Sequence, residues 1–154
     1  MQTIDQLIAQ APVFMGLEPA QLELIAGCAG NEHVNAGALL LREGDPANRF
    51  FLIRRGSVAL EVHAPGRGAL TIETLGAGEA VGWSWLFAPY RWQLDARAVE
   101  PSELIGFDGA CLRGKCDADH ELGYELMRRF AAIMIDRLQA TRLQLLDVYG
   151  NASS

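Results

Sequence analysis

The feature that most constrains this chain is the punctuation of residues 32–107. Apolar and polar residues alternate there in short runs, and glycine-bearing turns interrupt the runs at close intervals. His33-Val34, Leu39–Leu41, Phe50–Ile53, Val58–Val62, Leu70–Leu75, Ala80–Val81, Leu94–Val99 and Leu104–Phe107 read as strands. Between them stand Asn35-Ala36-Gly37, Glu43-Gly44-Asp45-Pro46, Arg55-Gly56, Pro65-Gly66-Arg67-Gly68 and Gly76-Ala77-Gly78. Period-two alternation puts one face of a strand on a core. Many short strands with turn residues between them, and no helical period among them, predict an all-β barrel or sandwich rather than a parallel sheet.

Helical spacing flanks this region on both sides. Ile4, Leu7 and Ile8 share one face of a short helix with Thr3 as its N-cap, and Pro12 ends it. Pro19 opens a second helix over 19–28, with Leu22, Ile25 and Ala26 on one side. After Phe107, Asp108 caps a short helix over 109–115, and Asp117 or Asp119 caps a far longer one. In that helix Leu122, Leu126, Phe130, Ile133, Met134, Leu138, Leu145 and Val148 recur at steps of three and four until Gly150, where it is expected to stop. A helix of about 30 residues is about 45 Å long and overshoots a small barrel. Its far half needs another apolar surface, most simply the same helix of a second chain.

Composition narrows the function classes. The chain has 154 residues, enough for one core, and a formal charge of -6. An acidic surface repels phosphate backbones, and Arg128, Arg129, Arg137 and Arg142, spread among acidic neighbours, read as a solvated helix face. Cys28, Cys111 and Cys116 are odd in number, lack metal spacing and read as dispersed. The N-terminus carries Asp5 and no basic segment, so no signal peptide is expected, and no apolar run approaches a membrane span. The expectation is a soluble, cytoplasmic protein of a reducing compartment. His33, His63 and His120 lie on three different elements, which suggests neither a metal site nor a haem. With no nucleophile set, catalytic carboxylate pair or Walker-type loop, nothing argues for an enzyme.

The order of these pieces resembles the cyclic-nucleotide-binding domain of the catabolite-activator (CRP/FNR) family. "APVFMGLEPAQLELIA" looks like its N-terminal segment, and "VNAGALLLREGDPANRFFLIRRGSVALEV" is similar to its central strand pairs. "LGAGEAVG" followed by "ARA" matches the frame of its phosphate-binding cassette, and "RLQATR" at 137–142 resembles its dimer helix. The resemblance implies a mainly β fold with α: a β-roll (a jelly-roll-like double-stranded β-helix) at 31–107 with its cassette at 78–98. N-terminal helices at 1–30 precede it, and C-terminal helices at 108–150 include the dimerisation helix. It also implies a single domain over 1–154, a parallel homodimer and a small ligand. Family transcription factors continue into a winged helix-turn-helix, which these residues do not include, so direct DNA binding is not expected.

In the family the cassette holds a cyclic phosphate by a short helix with free N–H groups, an arginine, and a glutamate that accepts from the ribose. Gly82-Trp83-Ser84-Trp85-Leu86-Phe87 could form that turn of helix. The glutamate position, however, is Trp83, and the arginine position, counted back from Ala96-Arg97-Ala98, is Trp92. Without a countercharge, a phosphate in a half-buried pocket loses several kcal/mol to desolvation. The candidate ligand residues are therefore Gly82, Trp83, Ser84, Trp85, Leu86, Arg91, Trp92 and Gln93, with Thr141 and Arg142 from the dimer helix. Three functions stay open. The first is a non-catalytic sensor whose tryptophans line a pocket for a flatter or more apolar ligand. The second is a structural dimerisation module whose tryptophans fill the pocket. The third is a true cyclic-nucleotide binder in which Arg91, swung round by a bulge at Pro89-Tyr90, replaces the missing arginine; Arg142 could supply that charge from the helix side.

Overall fold

Pairing of the short strands produces two four-stranded antiparallel sheets in the computed structural model, which describes residues 3–152. The strands are β1 (Ala29–Val34), β2 (Leu39–Leu41), β3 (Arg49–Arg55), β4 (Val58–Ala64), β5 (Gly68–Leu75), β6 (Ala80–Val81), β7 (Asp95–Ala98) and β8 (Ser102–Asp108). One sheet runs β1-β8-β3-β6 and the other β2-β7-β4-β5. Each sheet mixes strands distant in sequence, so the chain coils from one to the other as a β-roll. In β3, paired with β8 on one edge and β6 on the other, four consecutive side chains, Phe50 to Ile53, are buried between exposed arginines, so both faces of this strand are covered. Gly56 turns β3 into β4 at φ +106°; a Cβ there would lie 2.6 Å from that of Ser102. Only glycine fits such a turn.

Helices close the roll. α1 (Ile4–Ala9) and α2 (Pro19–Ala26) precede it, with a 3-10 turn at Pro12–Phe14; α3 (Gly109–Ala118) and α4 (His120–Ala152) follow. Thr3 caps α1 with a reciprocal bond to Gln6. Asp108 caps α3 through the Cys111 N–H at 3.0 Å. Asp119, rather than Asp117, caps α4, accepting from the Leu122 N–H at 3.2 Å. α4 runs through Gly150 to Ala152, beyond the expected stop, since a helix tolerates a single glycine at a cost of about 1 kcal/mol.

The inner half of α4 is anchored by an aromatic column. Phe107 of β8 stacks on Phe50 of β3 at 4.4 Å, and Phe50 stacks on Trp85 at 4.5 Å. Phe130 of α4 meets Phe50 and Trp85 edge-on at 5.4 and 5.2 Å. Such geometries add about 0.5–1.5 kcal/mol per pair beyond burial. Leu122, Leu126 and Phe130 are fully buried, whereas Leu138 is 58% and Tyr149 67% exposed. The inner half of the helix thus packs into the roll, whereas the outer half leaves large apolar side chains exposed.

Two sequence expectations are corrected here. The cysteines are not all dispersed, because Cys28 and Cys111 form a disulfide and only Cys116 is free. Antiparallel pairing sets Ala29 opposite Phe107, and the Asp108 N–H donates to the Cys28 carbonyl at 2.8 Å, which closes a separation of 83 residues. Nor do the helix arginines form one solvated face. Arg129 donates to the carbonyls of Val13 and Met15, and the Arg137 side chain is only 12% exposed.

Candidate ligand cleft

The cassette lies between β6 and β7. Its first residues form no helix: the Leu86 N–H donates to the Trp83 carbonyl at 3.0 Å and the Phe87 N–H to the Ser84 carbonyl at 3.4 Å, after which the chain turns away. The competing interaction is the burial of Trp85 in the aromatic column, which draws the backbone inward. Arg113 of α3 fixes this turn by donating to the Trp85 carbonyl at 2.5 Å and the Ala47 carbonyl at 3.2 Å, with its guanidinium 4.5 Å from the Tyr90 ring. The Trp85 Nε1–H is buried without a hydrogen-bond partner.

Trp92 is also buried. Its backbone is clipped to the 43–46 turn, with the Gly44 N–H donating to the Trp92 carbonyl at 2.9 Å and the Trp92 N–H to the Asp45 carbonyl at 3.1 Å. The indole lies on Gly82, where φ is +98° and a Cβ would fall 2.6 Å from a Trp92 ring carbon. The close backbone approach that Gly82 permits is taken up by the indole.

A cleft of about 570 Å³ opens beside the cassette, between the β2-β7-β4-β5 sheet and α4. Leu60, Ile72, Trp83 and Leu94 form the roll side, and Met134, Ile135 and Leu138 the helix side. Arg137 crosses it. Its guanidinium lies 5.0 Å from the Trp83 ring centre, Nη2 donates to the Ala80 carbonyl at 2.7 Å, and Nε stands 3.7 Å from the Glu73 carboxylate. Burial pushes the Arg137 pKa down, and Glu73 and then Glu79 oppose that shift. Thr141 Oγ1 donates to the Arg137 carbonyl at 2.9 Å, and Gln144 Nε2 to the Ile72 carbonyl at 2.7 Å.

Of the residues expected to bind a ligand, Trp83 and Thr141 line this cleft. Trp85 and Trp92 belong to the core, and Ser84 is buried in the cassette turn. Leu86 faces a separate depression with Tyr90, Arg113 and Met127. Arg91 is exposed on the outer edge, where it donates to the Gly44 carbonyl at 3.0 Å; Gln93, also exposed, donates to the Arg91 carbonyl. The bulge expected to swing Arg91 inward does not do so: Tyr90 takes a φ of +57°, yet Trp92 remains the buried member of the pair. Arg142 is exposed and lies about 100° round the helix from Thr141, away from the cleft. The cation that does enter is Arg137, four residues before Thr141 and therefore on its face. That spacing was the available signal; the acidic partner, Glu73, came from another element and gave none.

Fold and cleft together define a β-roll domain closed by a long helix, with an apolar cleft between the two. The sequence model of the family described as "Cyclic nucleotide-binding domain" matches residues 31–119. The chain belongs to that family. It is 23% identical over 145 residues to the CRP-like cAMP-activated global transcriptional regulator of Mycobacterium tuberculosis, covering 94% of this chain and 63% of the regulator. It is 29% identical over 126 residues to a cyclic nucleotide-gated potassium channel of Mesorhizobium japonicum, covering 82% of this chain and 33% of the channel. The chain thus spans less than two-thirds of these relatives. A crystal structure of a putative cyclic nucleotide-binding protein from Geobacter metallireducens matches with a TM-score of 0.79 and 27% identity, covering 90% of this chain and 99% of that one. Thermus thermophilus catabolite activator protein shares the fold, with a TM-score of 0.71 and 24% identity over 90% of this chain and 63% of that one.

Proposed function

We propose that this protein is a non-catalytic regulatory domain, one functional unit over 1–154, that binds a small molecule in the cleft between the roll and α4 without the family's usual grip on a cyclic phosphate. One observation carries the reading: the cleft shares a wall with an unpartnered helix seam. Residues 124, 127, 131, 134, 138, 141, 145 and 148 of α4 follow each other at steps of three and four. Of these, Ala131, Met134, Leu138 and Thr141 also line the cleft. A largely apolar seven-residue repeat sustained over about three and a half repeats favours a two-stranded coiled coil, so the seam is read as a parallel homodimer interface. A ligand touching those residues would bias how two copies pack.

The altered cassette supports the same reading, since Trp92 covers Gly82 and Arg91 is turned outward. The net charge of -6 makes direct binding of this polypeptide to DNA unfavourable. A second reading, a structural dimerisation module, draws on the burial of Trp85 and Trp92 in the core. Among the described residues no helix is long and apolar enough to cross a membrane. A cytoplasmic site of action is part of the proposal, and the Cys28–Cys111 bond is the feature that a reducing compartment does not favour.

Sedimentation equilibrium, Trp83 fluorescence and hydrogen exchange of residues 131–144 test the proposal together. A dimer is expected, with no saturable response to cyclic AMP or cyclic GMP, and with a neutral aromatic probe quenching Trp83 and slowing exchange in α4. A protein whose α4 exchange ignores every small molecule tried is a structural module.

A further inference from the structure

We infer that the cleft selects an uncharged, largely apolar molecule and discriminates against anions, cyclic phosphates included. This rests on the preceding reading of the cleft as the ligand site, and it follows from how the charges there are already spent. Among the described residues lining the cleft, Arg137 is the sole cation. Its guanidinium faces Trp83, its Nη2 is bonded to the Ala80 carbonyl, and its Nε is paired with Glu73. Glu79 adds a weaker negative charge near it. Two carboxylates thus answer one guanidinium.

An incoming anion would have to displace Glu73 from Arg137, leaving that carboxylate half-buried without its partner. It would also need to shed water against Leu60, Ile72, Leu94 and Met134, which return nothing to a charge. A cation meets the same apolar walls, and the carboxylate nearest the cleft is already engaged by Arg137. A neutral molecule incurs neither penalty. The volume of about 570 Å³ falls within the range of small-molecule sites, roughly 300–1,000 Å³. Two neutral polar groups, the Thr141 hydroxyl and the Gln144 amide, stand on the helix wall and can orient a hydroxyl or carbonyl on the ligand. The Trp83 ring, with the Arg137 guanidinium 5.0 Å over it, adds the rest of its apolar surface to the cleft wall.

The test uses the full chain, the neutral fluorescent probe N-phenyl-1-naphthylamine, and three competitors with one eight-carbon tail: octan-1-ol, octanoate and octylammonium. Octanol is expected to displace the probe at a concentration at least about tenfold below either ion. Glu73→Gln frees Arg137 and is expected to narrow the gap between octanoate and octanol by at least about tenfold. Ala140→Trp, placed in the cleft but off the helix seam, is expected to abolish probe binding while leaving the dimer intact. Displacement by octanoate, octylammonium or cyclic AMP as readily as by octanol overturns the neutral-ligand inference and leaves the sensor reading standing. No probe binding, or binding that Ala140→Trp does not touch, overturns both.

Discussion

Trp92 and its neighbour Arg91 show how much one position along the chain decides. The two are adjacent, one buried on Gly82 and one exposed against the Gly44 carbonyl. Trp92→Ala removes a buried indole and is expected to cost about 3–5 kcal/mol in urea unfolding, whereas Arg91→Ala should stay within about 1 kcal/mol of the parent. Equal effects of the two changes would contradict the placement. Cys116 offers a second residue-level test. Burial, then Asp117 and Asp119, raises its thiol to about 11 from the ordinary 9.0. The unfolded thiol ionises first, so the stability tied to the neutral form is whole below about pH 9 and lost as pH climbs through 11. The urea midpoint should therefore fall more steeply between those pH values in the parent than in Cys116→Ala. At this scale the sequence showed which residues were odd, the indoles at 83 and 92, but not what each touches. Trp83 reaches the cleft and Trp92 the core because of backbone turns that no residue spacing encodes.

The elements were legible where physics is local. Each of the eight strands overlaps an expected run, although β1 starts at Ala29, four residues ahead of His33, and α1, α2 and α4 carry the caps or prolines that mark their starts. Legibility failed where a distant partner prevailed over local preference. The cassette residues 83–87 do not form a helix, because Trp85 stacks on Phe50, some 35 residues earlier in the chain. Arg137 looked like one of several surface arginines until Glu73 and Trp83, from β5 and the cassette, closed around it. The seam of α4 makes its own prediction. Leu145→Glu places a charge on an exposed apolar position of the seam, so it should leave the fold of the roll intact and convert a dimer to monomers in sedimentation equilibrium. A dimer that survives the change does not use this seam.

At the scale of the whole molecule, the Cys28–Cys111 bond ties the end of α2 to α3, and Arg113 ties α3 to the cassette. Reduction releases a closed loop whose ends are 83 residues apart, and the chain-entropy account puts its stabilising effect at roughly 4–5 kcal/mol. Differential scanning calorimetry with and without dithiothreitol should show a fall of several degrees, and alkylation of the unfolded, unreduced protein should modify one cysteine. Three modified cysteines would mean that the bond does not form. This pairing lay beyond the reach of spacing rules, since two cysteines so far apart meet only through the β1–β8 register.

Phe130 gives α4 a fulcrum. Roll-ward of it the helix is clamped by fully buried leucines and by the rings of Phe50 and Trp85; beyond it the arm grows more exposed toward Tyr149. Between those two residues lie 19 steps, about 28 Å at 1.5 Å per residue. A tilt of about 5° at Phe130 would carry Tyr149 through about 2.5 Å, comparable to a shift of one side chain in a packed seam. The helix is thus a lever whose short arm is held in the core and whose long arm is tied back to the roll by the polar bonds of Arg137 and Gln144, with the cleft lying just beyond the pivot.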